Sequence, residues 1–124
     1  LSGISSDMRE IEAAVAAGNP RAIMTLNVYN YRIKKYIGAY AAAMGGCDIL
    51  VWTGGVGENQ WATRRVVCEN MEYMGMKIDV EKNEGMRGEE MVISTPDSKV
   101  TIIVVPTDEE FMIAADTLEI LDKK

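Results

Sequence analysis

The strongest constraint on the fold is an uninterrupted apolar run that ends in a cluster of glycines. Residues 49–53 read Ile-Leu-Val-Trp-Thr, and residues 54–57 read Gly-Gly-Val-Gly. Such a run is typical of a buried strand in a parallel sheet, because both faces of that strand are covered. A helix over residues 59–73, closed by Gly75, and a short strand at residues 76–80 complete a predicted β-α-β unit. The sequence therefore predicts an α/β fold.

Two helices are predicted before this unit. The first begins near residues 6–7, where the spacing of Asp7 and Glu10 is that of a capping box. The second begins at Asn19-Pro20, since Asn is a good N-cap and Pro suits the first helical position. Apolar residues then recur at helical spacing until Gly45-Gly46 ends the helix.

The rest of the chain alternates turns with short apolar segments. A polar loop is predicted at residues 81–90, and strands at residues 91–94 and 100–105. Thr107 and Glu110 form a second capping-box pattern, which opens a final helix that ends near Leu121. The predicted order of the main elements is ααβαββα.

Composition excludes several classes of function. The chain has 124 residues, a net charge of −6, two cysteines and no histidine. The acidic balance argues against nonspecific binding to nucleic acid or to an anionic membrane, and no apolar run approaches the length of a membrane span. Two cysteines are too few for a disulfide framework and indicate a reduced, cytoplasmic setting. The absence of histidine removes the commonest general base and zinc ligand.

The glycine segment between the strand and the helix has two interpretations. It is either a nucleotide- or anion-binding loop, in which glycine allows a ligand close to the backbone, or a tight turn without a ligand. A dinucleotide motif requires a third glycine where Gln60 stands, although Asp79 imitates the ribose-binding acid of that motif. A P-loop requires Gly-Lys-Ser or Gly-Lys-Thr, which is missing.

Two acidic segments also have two interpretations each, and the local sequence pattern does not decide between them. Residues 107–110, Thr-Asp-Glu-Glu, cap a helix or bring a carboxylate to Mg²⁺ at a strand-to-helix junction. Residues 5–9, Ser-Ser-Asp-Met-Arg, cap the first helix and leave Arg9 in solvent, or place Arg9 along a nucleotide.

Taken together and in order, these segments resemble the C-terminal part of the acetate kinase family. The matching stretches cover nearly the whole chain and lie at residues 3–9, 31–40, 48–59, 93–99 and 105–110. The resemblance implies two actin-like (ribonuclease H-like) domains that close around ATP. It also implies reversible transfer of the γ-phosphoryl group of ATP to acetate, which gives acetyl phosphate and ADP.

The resemblance assigns roles to particular residues. Asp7, Met8 and Arg9 would line the adenosine pocket. The loop against the ribose and the α-phosphate would comprise Gly55, Val56, Gly57, Glu58 and Asn59. A side chain at position 57 is then expected to block the nucleotide. Glu109 would lie in the shell of Mg²⁺, or of Mn²⁺ in its place, where the metal offsets charge on the transferring phosphoryl group. The family also implies a homodimer.

Family members are several times longer than this chain, and their acetate pocket and catalytic His and Arg residues lie upstream of the matching stretches. Residues 1–124 are therefore expected to be a C-terminal nucleotide-binding fragment without the N-terminal domain, inactive by itself. A propionate kinase fragment and a non-catalytic nucleotide-binding remnant remain the alternatives. The apolar stripe of the last helix is expected to lack its partner. The chain is therefore expected to self-associate, to repack that helix, or to lie beside remaining chain.

Overall fold

The computed structural model describes residues 1–122 as six helices and one small sheet. In chain order the elements are α1 Met8–Ala16, α2 Pro20–Met44, β1 Ile49–Trp52, α3 Gly54–Asn59, α4 Trp61–Cys68, α5 Val80–Asn83, β2 Met91–Val92, β3 Thr101–Val104 and α6 Glu109–Asp122. A 3₁₀ turn at Glu72–Met74 follows α4. The longer elements follow the predicted order.

The ends of α1 and α2 lie where the capping residues predict them. The Asp7 carboxylate accepts from the N–H of Arg9 at 2.9 Å, and the Asn19 side chain caps α2. Gly45 ends α2 with a φ of 78°, a conformation that favours glycine. The predicted capping box is wrong in its second half, because the N–H of Asp7 donates to Ser5 Oγ at 3.0 Å and not to Glu10.

The sheet has the strand order β1-β3-β2. β1 runs parallel to β3, with Ile49 opposite Thr101, and β2 runs antiparallel to β3. The predicted strand at residues 76–80 is wrong, since this stretch makes only isolated bridges, Met76 with Val100 and Ile78 with Ser94. The parallel neighbour of β1 is therefore β3, and the predicted β-α-β unit over residues 49–80 does not form as a paired unit.

The segment after β1 differs from the single helix predicted over residues 59–73. The glycines themselves form α3, and Gly54 enters that helix with a φ of 68°. The backbone then breaks at Gln60, with φ −103° and ψ 74°, before α4 begins. The polar loop predicted at residues 81–90 is also interrupted, because Asp79 caps the short helix α5.

The core lies between one face of the sheet and α4. Its buried apolar members are Trp52, Val67, Cys68, Met71, Met76, Met86, Ile93, Val100, Ile102 and Val104. The predicted burial of β1 on both faces is wrong, since Ile49 is 59% exposed and Val51 is 50% exposed. Within the described residues the other face of this strand is uncovered, so its side chains alternate between core and solvent.

α6 is exposed along its length. None of its residues is buried, and Phe111, Ile113 and Leu118 are each at least 60% exposed. The apolar surface expected of this helix is therefore on the outside of the described structure. None of the helices in residues 1–122 has the length and apolarity that crossing a bilayer requires.

Candidate functional site

Two neighbouring clefts lie on either side of the glycine helix α3. The first, of about 400 Å³, is bounded by α1, by α3 and by the loop after α5. Its lining residues are Met8, Arg9, Glu12, Gly55, Val56, Asn59, Gln60 and Arg87. The second, of about 470 Å³, lies between α3 and the start of α6, and its lining residues are Gly55, Glu58, Thr107, Asp108, Glu109 and Glu110. We call the first the adenosine-side cleft, after the role predicted for its residues, and the second the carboxylate-side cleft.

Gly55 belongs to both clefts and leaves them open. A Cβ built on Gly55 meets no atom within 4 Å, so the backbone there faces free space. Gly57 differs, because it is buried and its Cβ would lie 3.0 Å from the backbone carbon of Trp52. Glycine at position 57 is thus favoured by its close packing against β1, and its assignment to the nucleotide stays a prediction.

The α1 wall of the adenosine-side cleft carries an ion pair. Arg9 Nε donates to Asp7 Oδ1 at 3.1 Å, and its terminal nitrogen lies 2.6 Å from Oδ2. The side-chain hydrogen bond from Arg9 lowers the pKa of Asp7 to about 2. The Arg9 side chain is 87% exposed, so it is presented to solvent with its charge offset by the neighbouring carboxylate.

Glu58 joins the glycine helix to the junction between β3 and α6. Its Oε1 accepts from both the N–H and the Oγ1 of Thr107, each at 2.8 Å. The backbone hydrogen bond from Thr107 is the largest cause of a lowered pKa at Glu58, followed by the hydroxyl hydrogen bond. Thr107 therefore does not start α6 with the predicted capping box. Asp108 caps that helix, its Oδ1 accepting from the N–H of Phe111 at 2.9 Å.

Glu109 is the predicted metal ligand and stands at the first position of α6. Within residues 1–122 its carboxylate has no hydrogen-bond or ion-pair partner, and it lines the carboxylate-side cleft. The described residues contain no group of three or more His, Cys, Asp or Glu arranged for a metal ion. A single free carboxylate nevertheless fits Mg²⁺, which is usually held by one or two carboxylates together with water and substrate phosphates.

Arg64 is a central residue of the site that sequence reasoning missed. It is fully buried, and its guanidinium donates to the carbonyls of Gly57 at 2.7 Å, Glu58 at 3.0 Å and Met86 at 2.8 Å. The Nε donates to Asn83 Oδ1 at 2.8 Å. Burial is the main cause of a lowered pKa at this guanidinium. The sequence carries one signal for this burial: Arg64 stands one helical turn before apolar residues and so shares their face of the helix.

Asp79, the residue that imitates a ribose-binding acid, has a structural role. Its Oδ1 accepts from the N–H of Lys82 at 3.1 Å, and its Oδ2 lies 3.6 Å from Lys82 Nζ. The carboxylate therefore caps α5. This role, together with Gln60 in place of the third glycine, leaves the dinucleotide interpretation without support from the geometry.

The sequence profile of the acetokinase family matches residues 1–115. The chain belongs to this family. It is 99% identical over 124 residues to the acetate kinase of Parabacteroides distasonis, covering 31% of that protein. It is also 68% identical over 121 residues to the acetate kinase of Porphyromonas gingivalis strain W83, covering 30% of that protein. The chain thus spans about 30% of the length of these acetokinase relatives.

Solved structures of family members have the same fold as this acetokinase chain. A crystal structure of Porphyromonas gingivalis acetate kinase superimposes with a TM-score of 0.88 at 68% identity, over 97% of this chain and 30% of the other. A propionate kinase from Francisella tularensis superimposes with a TM-score of 0.76 at 33% identity, over 90% of this chain and 29% of the other. These likenesses confirm the predicted α/β class and its place in an actin-like ATPase fold.

Proposed function

We propose that this chain is the C-terminal, nucleotide- and metal-binding portion of an acetate kinase. The whole enzyme would transfer the γ-phosphoryl group of ATP reversibly to acetate and give acetyl phosphate and ADP. The observation that carries the proposal is the adenosine-side cleft. It joins Met8 and Arg9 of α1 to Gly55, Val56 and Asn59 of α3, which are motifs far apart in the sequence but adjacent in the fold.

The cleft suits the parts of a nucleotide. Met8 and Val56 offer apolar surface to a purine base, and the planar Arg9 guanidinium can stack on that base or contact a phosphate. Gly55 has no side chain, so the backbone can approach the sugar and the first phosphate closely. Because Gly55 borders both clefts, a nucleotide that occupies the first directs its phosphates towards the second.

The carboxylate-side cleft suits the metal that accompanies ATP. Glu109 would supply one oxygen ligand to Mg²⁺ or Mn²⁺, and phosphates and water would supply the others. When bound, the metal neutralises charge on the transferring phosphoryl group. Glu58 and Asp108 are committed to Thr107 and Phe111, so they hold the wall of the cleft in place.

The acceptor side of the reaction would come from chain beyond these residues. The sequence contains no histidine, and the relatives are about three times longer, so we assign the acetate pocket and the catalytic His and Arg to the remainder of a longer enzyme. We also propose a cytoplasmic homodimer. Membership of the acetokinase family supports ATP, ADP and acetate as partners. The acidic net charge of −6 argues against nucleic acid or an anionic membrane as a partner.

The test uses the acetate kinase of Parabacteroides distasonis with this chain in place of its own 99% identical segment, which we call the full-length enzyme carrying this chain. Formation of acetyl phosphate, trapped as the hydroxamate, is measured with acetate and with propionate. We expect turnover with acetate, and none from the 124-residue chain alone. Turnover with propionate reports on the remainder of the enzyme, to which the acyl pocket is assigned. Loss of turnover with retained ATP binding would indicate a non-catalytic remnant.

A further inference from the structure

Arg87 is a cation in the adenosine-side cleft that neither the family resemblance nor the sequence motifs assign. It is exposed and lines the cleft opposite α1. Within residues 1–122 its guanidinium has no carboxylate or hydrogen-bond partner. Arg9, on the other wall, is paired with Asp7. Positive charge available to an anionic ligand in this cleft therefore comes from Arg87 more than from Arg9.

The backbone on both sides of Arg87 is fixed to the glycine helix. The carbonyl of Met86 accepts from the buried guanidinium of Arg64 at 2.8 Å, and the N–H of Gly88 donates to the carbonyl of Glu58 at 3.2 Å. Arg64 also donates to the carbonyl of Glu58 at 3.0 Å. The loop that carries Arg87 and the helix that carries the glycines are thus held by one set of contacts, which sets the width of the cleft between them.

The same arrangement brings like charges near each other. Burial lowers the pKa of Arg64 first, and the positive charge of Arg87 lowers it further. The positive charge of Arg87 therefore acts on Arg64, and an anion bound in the cleft beside Arg87 would offset it. A nucleoside triphosphate or diphosphate is an anion of suitable size for a cleft of about 400 Å³.

We propose that Arg87 is a further nucleotide-binding residue, whose guanidinium contacts an anionic oxygen of ATP or ADP, and that Arg64 is the positioning residue that holds it at the cleft. This inference rests on the proposed function. It deepens that function, since it names the residue that supplies unpaired positive charge to the nucleotide. An arginine suits the task because its fork of N–H donors matches a phosphate geometrically.

The test compares Arg87→Ala, Arg87→Lys and the control Arg65→Ala in the full-length enzyme carrying this chain. Arg65 is a suitable control because it is an exposed arginine on α4, paired with Glu69 at 3.4 Å. We expect Arg87→Ala to raise the KM for ATP and the Kd for ADP about three- to tenfold, the range for losing one exposed charge-assisted contact. The KM for acetate and the melting temperature should stay unchanged. Arg87→Lys should restore part of the affinity, and Arg65→Ala should change none of these values.

Arg64→Lys tests the positioning role. The substitution keeps the positive charge but loses the planar guanidinium with its several N–H donors. It should therefore raise the KM for ATP and lower the melting temperature. If that variant does not fold, Asn83→Ala, which removes the acceptor of Arg64 Nε, replaces it. A double variant with Arg87→Ala should show a smaller rise in KM than the product of the two single effects, because part of the effect of Arg64→Lys acts through Arg87.

Three results would overturn the inference. An unchanged affinity for ATP and ADP in Arg87→Ala would remove Arg87 from the nucleotide site, and so would an equal loss in Arg65→Ala. Additive effects in the double variant would remove the positioning role of Arg64. If the full-length enzyme carrying this chain binds no ATP at all, the proposed function itself is contradicted, and this outcome is visible before any variant is made.

Discussion

A methyl group added at Gly57 should destabilise the chain, whereas the same methyl group added at Gly55 should not. Both glycines lie in α3, and neither has a φ in the left-handed region, so backbone strain is the same small term for both. Their surroundings differ. A Cβ at Gly57 lies 3.0 Å from the backbone carbon of Trp52 and 3.4 Å from its Cα, whereas a Cβ at Gly55 meets nothing within 4 Å.

The quantity compared is the free energy of unfolding of Gly55→Ala and of Gly57→Ala, and one contribution is common to both variants. Replacing Gly with Ala inside a helix contributes about 1 kcal/mol of stability through backbone entropy, and this gain applies at both positions. Overpacking against a neighbour that cannot move costs about 1–3 kcal/mol, and the neighbour of position 57 is the backbone of a sheet strand. Gly55→Ala should therefore be more stable than Gly57→Ala by about 1–3 kcal/mol.

Urea unfolding of the 124-residue chain, followed by tryptophan fluorescence, measures this difference directly. Equal slopes of the unfolding curves would show that the comparison concerns the folded state. In the full-length enzyme carrying this chain, Gly55→Ala should weaken ATP binding while leaving the melting temperature intact, because position 55 borders both clefts. The packing explanation is wrong if Gly57→Ala is as stable as Gly55→Ala.

Four further outcomes are expected. In the full-length enzyme carrying this chain, Glu109→Ala should lower kcat about tenfold or more across Mg²⁺ concentrations with little change in melting temperature. The control Glu110→Ala should leave kcat unchanged, and equal kcat values in the two variants would contradict the metal role. Glu58→Gln should lower the melting temperature above about pH 5 and leave it equal to that of the unsubstituted chain in strong acid. The reason is that a carboxylate whose pKa is lowered by folding stabilises the folded chain above its unfolded pKa. This stabilisation is lost as the pH falls through the folded pKa. Cys68 should react with iodoacetamide far more slowly than Cys47 in the folded chain, since burial raises the Cys68 thiol pKa to about 12; equal rates would contradict the burial. Light scattering should show self-association of the chain through its exposed apolar α6, and a monomer would contradict it.

Local signals predicted the helix ends well. Asp7, Asn19-Pro20 and Gly45 each act through one or two backbone groups of their own turn, so the residue type alone determines the outcome. The capping box at Thr107 failed because the hydroxyl and the N–H of that residue found a distant acceptor, Glu58. No window of neighbouring residues contains that partner.

The strand at residues 76–80 failed for a related reason. The apolar alternation of this segment is real, and Met76 is fully buried, but the ladder positions beside β3 are taken by β1 and β2. Pairing is a property of the whole sheet, and the bridge partners of this segment, Val100 and Ser94, lie outside the strands, so it packs as a loop with isolated bridges. The adjoining Asp79 then finds a local use as a helix cap.

The candidate site combines one feature that the sequence shows with another that it conceals. Glycines at residues 54–57 predict a place where a ligand can approach the backbone, but glycines by themselves make a flexible chain. The stiffness comes from Arg64, whose buried guanidinium donates, within residues 1–122, to neutral acceptors: three main-chain carbonyls, one amide and the Met86 thioether. A buried charge without a carboxylate is costly unless every donor is satisfied, so the cation holds the backbone around it in one arrangement. Openness at Gly55 and rigidity at Arg64 together preform the adenosine-side cleft, to which we assign the nucleotide.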